Sequence, residues 1–108
     1  MLCKICENLE VAWVKTSTGF AYIRQKDGTM KTQGAMQADV SLMSKTCGEG
    51  TQVKAAGGVQ DLSTLLQMKS VGATRVGTSS TQKILDECRV ILGLAPISII
   101  DSSTQTDY

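Results

Sequence analysis

Apolar positions recur along this chain with two different periods, and the alternation between them sets the fold class. Leu2, Ile5, Cys6 and Leu9 stand at i, i+3, i+4 and i+7, one stripe of a short helix over residues 2–9. Val11-Ala12-Trp13-Val14 follows as a continuous apolar run, the pattern of a strand buried on both faces. It runs into Lys15-Thr16-Ser17-Thr18-Gly19, a polar loop of small residues. Residues 20–35 form a long connection. Within it Lys26-Asp27-Gly28-Thr29 is a turn signal between Tyr22-Ile23-Arg24 and Met30-Lys31-Thr32, which predicts a small hairpin. Met36, Val40, Met43 and Cys47 then return at helical spacing, and Gly48 stops that helix.

The same sentence is written twice more. Residues 52–56 read as a second short strand closing on Gly57-Gly58, and Asp61 is a suitable N-cap for the next helix. That helix carries Leu62, Leu65, Leu66 and Lys69 on one face and ends at Gly72. Thr74-Arg75-Val76 is a third strand, running into Gly77-Thr78-Ser79-Ser80. The last helix has the clearest stripe, Ile84, Leu85, Cys88, Ile91 and Leu92, with Gly93 after it. Residues 98–108 are polar enough to be a mobile tail. A helix followed by three strand–loop–helix units predicts an α/β fold with a parallel sheet and right-handed crossovers. All three strands end in glycine- or hydroxyl-rich loops, which gather at the sheet edge where α/β proteins keep their sites.

Composition narrows the chemistry. At 108 residues and 42% hydrophobic, the chain has room for one globular domain. A net charge of +1 with no basic cluster predicts neither nucleic acid nor anionic membrane as a partner. The longest apolar stretch, residues 90–100, is interrupted by Gly93, Pro96 and Ser98 and is too short to span a bilayer. The absence of histidine removes Ser-His-Asp and Cys-His nucleophiles, His-ligated zinc and an imidazole base. Neither a metal nor an organic cofactor is expected. Cys3, Cys6, Cys47 and Cys88 follow no secretory signal, so a reducing cytoplasm is the favoured compartment. Cys3-x-x-Cys6 falls inside a short terminal helix with Cys6 on its stripe, which favours core packing over a redox or zinc motif.

Two features remain for function. Lys15 and Lys54 each stand at the carboxyl end of a predicted strand. Burial lowers a lysine pKa, and a second ammonium nearby lowers it further, giving the free amine that a Schiff-base nucleophile needs. The same spacing also fits two lysines that simply reach solvent. Gly57-Gly58 before one helix and Gly77-Thr78-Ser79-Ser80 before another offer backbone N–H groups to a phosphate, though tight turns use glycine pairs as well.

The segments Trp13-Val14-Lys15-Thr16-Ser17-Thr18-Gly19-Phe20, Val53-Lys54-Ala55-Ala56-Gly57-Gly58-Val59 and Gly72-Ala73-Thr74-Arg75-Val76-Gly77-Thr78-Ser79-Ser80 resemble those of deoxyribose-phosphate aldolases, in the family's order. The resemblance runs from about residue 2 to residue 92, and the excursion around Lys26-Asp27-Gly28 is similar to one branch of the family. It implies a class I aldolase on a TIM (β/α)8 barrel, reversibly cleaving 2-deoxy-D-ribose 5-phosphate to D-glyceraldehyde 3-phosphate and acetaldehyde. Lys15 would be the Schiff-base lysine on the sixth strand, and Lys54 on the seventh would assist it in the proton relay. Thr18, Gly19, Gly57, Gly58, Gly77, Ser79 and Ser80 match positions lining the sugar and its phosphate. Phe20 and Gln60 replace basic residues found in some members, and Tyr108 matches a terminal tyrosine that reaches the site in others.

The resemblance also implies that this chain is a partial barrel. Residues 1–97 correspond to the sixth, seventh and eighth βα units with the end of the fifth helix, and a complete barrel takes about 250 residues. The family's relay aspartate lies on an earlier strand, and none of Asp27, Asp39, Asp61, Asp86, Asp101 or Asp107 falls at a strand end. Three strands cannot close a barrel, so the chain alone is expected to be poorly stable, to self-associate through open edges and to have little activity. The alternatives are a non-catalytic phosphate-binding partial barrel completed by another chain, a truncated gene product, or a different phosphosugar barrel enzyme.

Overall fold

The computed structural model describes residues 1–97, and the predicted order of elements is present in them. Helix α1 (Leu2–Asn8) leads to strand β1 (Trp13–Lys15), then to the hairpin strands β2 (Tyr22–Arg24) and β3 (Met30–Thr32) and helix α2 (Gln37–Cys47). Strand β4 (Gln52–Ala56), helix α3 (Leu62–Ser70), strand β5 (Ala73–Gly77) and helix α4 (Thr81–Ile91) complete it. The tail expected over residues 98–108, Tyr108 included, lies outside the described residues.

Strands β1, β4 and β5 form one parallel sheet in the order β1-β4-β5, with β4 in the centre. Val14 is the register partner of Val53, and Val53 of Ala73, so one face of the sheet is a row of small apolar side chains. That row packs with Val40 and Cys47 of α2, Met68 of α3 and Ile84 of α4 in a single core. The opposite face carries Trp13, Lys15, Gln52, Lys54 and Arg75, none of them buried. These are three strand–helix units, with one face of the sheet covered by helices and the other open.

Local chemistry explains where the elements stop. Gly48 takes φ 65° and ψ −168° after α2, a combination essentially reserved for glycine. Asp61 caps α3 as predicted, its Oδ1 accepting from the Thr64 N–H at 2.7 Å. In the hairpin, the Gln25 N–H donates to the Thr29 carbonyl at 2.7 Å, and Asp27 accepts from both the Thr29 N–H (2.9 Å) and its hydroxyl (2.6 Å). Those two bonds hold the Asp27 carboxyl below its usual range.

Several predicted faces are not buried. Strand β1 is an edge and buries only Val14, so the apolar run over residues 11–14 is not enclosed on both sides. Of the α1 stripe, Cys6 packs inward together with Cys3, whereas Leu2 (74% exposed) and Leu9 (71%) face outward. Helix α3 buries Met68, which the predicted stripe omitted, and leaves Leu66 and Lys69 exposed. Helix α4 buries Ile84 alone, with Ile91 75% and Leu92 67% exposed. The physical reason is shared: these positions lie at the margins of a sheet that supplies neighbours on one side only.

Candidate functional site

The three parallel strands end at one edge, at Lys15, Ala56 and Gly77. The loops after them are tied together by a small set of hydrogen bonds. The Thr16 N–H donates to the Lys54 carbonyl at 3.0 Å. The Thr16 hydroxyl both accepts from the Ala56 N–H (3.1 Å) and donates to the Ala56 carbonyl (3.2 Å). Ser17 Oγ accepts from the Gly19 N–H at 3.2 Å, folding the loop back on itself. On the other side, the Thr78 hydroxyl donates to the Val59 carbonyl at 2.5 Å and accepts from the Ser80 N–H at 2.9 Å. Thr16 and Thr78 therefore join the first loop to the second and the second to the third.

Glycine is required here for close approach. The Ala35 N–H donates to the Gly57 carbonyl at 2.9 Å, which brings the end of the long connection onto the second loop. A Cβ on Gly34 would lie 2.5 Å from the Gly57 carbonyl oxygen, and one on Gly57 (φ 93°) would meet the Gly34 Cα at 3.1 Å and the Gly19 Cα at 3.5 Å. Three backbones from three parts of the chain are stacked without side chains between them.

Between these loops is an open cavity of about 310 Å³. Of the residues singled out from the sequence, Lys15, Thr18, Gly19, Gly57, Gly58, Gly77 and Ser79 line it. Phe20, Ala56, Val59, Gln60 and Thr78 complete the wall. Among the described residues, Lys15 is the only cation on that wall, and no carboxylate is on it. Lys54 is off the wall, but it is the direct register partner of Lys15 on the neighbouring strand. Its stem crosses the last residue of β5, with Cε 3.1 Å and Nζ 3.7 Å from where a Cβ on Gly77 would stand. Ser80 is also off the wall: it is the N-cap residue of α4, its carbonyl accepts from the Ile84 N–H at 3.0 Å, and its side chain makes no capping bond.

The acidic residues stand elsewhere. Asp27 is in the hairpin turn, Asp39 in the first turn of α2 and Asp86 within α4, while Asp101 and Asp107 lie outside the described residues. Asp61 follows the wall residue Gln60 but is spent on its cap, and the Thr64 N–H holds its carboxyl below the usual range. Sequence reasoning missed Thr16 and Thr78 as loop ties and Gly34 as the partner of Gly57. It also missed Arg75, whose guanidinium lies 4.0 Å from the centroid of the Trp13 ring, a cation–π contact reaching across β4. Nothing near either residue in the chain signals that pairing, which exists only because the strands lie side by side.

No family model matches the chain. Curated relatives do. The deoxyribose-phosphate aldolase of Rhodopirellula baltica is 48% identical over 98 residues, covering 91% of this chain and 36% of that protein. The deoxyribose-phosphate aldolase of Actinobacillus succinogenes is 47% identical over 78 residues, covering 72% of this chain and 30% of that protein. Among solved structures, an aldolase superposes with a TM-score of 0.68 at 34% identity, covering 83% of this chain and 37% of its own. The chain thus spans about a third of the length of the curated relatives it matches, corresponding to their carboxyl-terminal part.

Proposed function

We propose that this chain, which belongs to the deoxyribose-phosphate aldolase family, carries the imine-forming and phosphate-binding part of such an aldolase. The observation that supports this best is the pairing of Lys15, on the cavity wall, with Lys54 as its register neighbour. The free amine of Lys15 attacks the C1 aldehyde of open-chain 2-deoxyribose 5-phosphate, and water leaves to form an iminium. A base takes the C3 hydroxyl proton, the C2–C3 bond breaks, and its electrons form an enamine on Lys15. D-glyceraldehyde 3-phosphate departs. Protonation of the enamine at C2 and hydrolysis release acetaldehyde and the amine.

Lys54 is placed in this reading as a proton carrier beside Lys15. The N–H groups of Gly57, Gly58, Gly77 and Ser79, with the hydroxyls of Thr18 and Ser79, would take the phosphate, and Ser80 would serve by starting α4 behind them. The carboxylate that completes the relay is assigned to strands beyond these three. A cytoplasmic role in deoxyribonucleotide breakdown and association through the open sheet edges belong to the same reading. A second reading, a phosphate-binding partial barrel without turnover, is favoured by the lack of a carboxylate among the described residues of the cavity wall.

Acetaldehyde with borohydride separates the two. Trapping of one ethyl group on the peptide containing Lys15, lost in Lys15→Arg, is the expected result. Labelling spread evenly over other lysines would overturn the imine assignment. Binding of the sugar phosphate without a trapped adduct would favour the second reading.

A further inference from the structure

Three of the four cysteines meet where α1 packs on α2, outside the candidate site. Cys3 and Cys6 stand one turn apart on α1, and both pack half-buried against the core. Cys47, the last residue of α2, is wholly buried, and its thiol reaches the Cys3 carbonyl at 3.9 Å. Burial, reinforced by the adjoining Cys3 side chain, pushes the Cys47 thiol up to about 11. A cavity of about 480 Å³ bounded by Cys3, Cys6, Met43 and Trp13 gives a small molecule access to the α1 thiols but not to Cys47. Cys88 is on α4, in a different part of the fold.

We propose that Cys3 and Cys47 are a thiol pair that a small disulfide oxidant closes into an intrachain bond, tying α1 to the end of α2. The Cys3 thiolate attacks one sulfur of the oxidant, which leaves as a thiolate, and a mixed disulfide remains on Cys3. The Cys47 thiol then gives its proton to the released thiolate as its sulfur attacks the Cys3 sulfur and expels the second thiolate. Two protein thiols are oxidised, one disulfide molecule is reduced to two thiols, and the two protons pass to the released thiolates. Cys3 is preferred over Cys6 because the Cys47 thiol lies against the Cys3 backbone carbonyl and the Cys3 side chain adjoins it. The consequence falls on α1, which has no buried residue of its own, so a bond between positions 44 apart would anchor the helix that the core holds least. The pair does not depend on the aldolase reading.

The test uses the full chain, oxidised glutathione as the probe, alkylation of the remaining thiols, and peptide mapping by mass spectrometry. A Cys3–Cys47 linked peptide is expected, with Cys6 and Cys88 alkylated and a higher unfolding midpoint that reductant reverses. Cys47→Ser should remove the link and leave Cys88 alkylation unchanged. Since a hydroxyl at a wholly buried site can itself unfold the chain, Cys3→Ser is read in parallel and must also lose the link. A Cys3–Cys6 bond, glutathione remaining on Cys3, or four alkylated thiols would each overturn the proposal.

Discussion

Strand β4 buries Val53, Ala55 and Ala56, whereas β1 buries only Val14 and β5 only Ala73. The helices repeat the contrast. Helix α2 buries Val40 and Cys47 completely, while α4, with the most regular apolar stripe in the chain, leaves Leu85 and Ile91 exposed, as is Leu92 just beyond it. The residues at the margin are as apolar as those at the centre. An apolar stripe specifies a face that gains free energy by being covered; topology decides whether anything covers it. With three strands and two open edges, the middle is a core and the flanks are surfaces awaiting neighbours.

The largest effect that can break this comparison lies within α4. Ile84→Ala should lower the free energy of unfolding by about 3 kcal/mol, as for a buried isoleucine, measured by denaturant titration of the full chain. Leu92→Ala just beyond the same helix should change it by less than about 0.5 kcal/mol. Equal losses would show that the margin is covered after all, by self-association at the concentration used.

A smaller contrast concerns the glycines. Gly57→Ala combines a left-handed backbone with a Cβ against the Gly34 and Gly19 backbones, and a loss of about 2 kcal/mol is expected. Gly28→Ala in the hairpin turn meets no atom within 4 Å. It should cost about 1 kcal/mol, from the backbone conformation alone. Similar values for the two would mean that the glycine stack is not tightly packed.

The smallest contrast is between two helix caps. Asp61→Ala should lower the unfolding midpoint, because it removes the carboxylate that accepts from the Thr64 N–H, whereas Ser80→Ala should leave it nearly unchanged, since that side chain caps nothing. The Asp61 carboxyl is held below its ordinary 3.8 in the folded chain. Its contribution is therefore complete above that value and lost as pH falls through the folded one. The difference between wild type and Asp61→Ala should shrink on acidification. A difference that persists in strong acid would assign the effect to packing.

Much of the fold was legible because its signals are local. Asp61 caps α3, Gly48 ends α2, and Lys26-Asp27-Gly28-Thr29 turns a hairpin, each for reasons contained within a few residues of backbone. The wall of the cavity was legible in part: seven of the nine candidate site residues named from the sequence line it, Lys54 and Ser80 being the exceptions. Strand-end position gave Lys54 its place in the sheet without saying that its stem would lie over Gly77. The stripes failed at the margins, where periodicity names a face and cannot say whether a second layer exists.

What the sequence determined by itself is therefore the order of the elements, the α/β class and the gathering of three small-residue loops at one sheet edge. These follow from backbone preference and side-chain period, which neighbouring residues set among themselves. Only the tertiary structure decided that Lys15 stands beside Lys54, that Gly19, Gly34 and Gly57 share one stack, that Arg75 lies over Trp13, and that Cys47 meets Cys3. Each of those joins positions far apart in the chain. Contacts of that kind are fixed by strand register and by which face finds a partner, and no local pattern of residues encodes either.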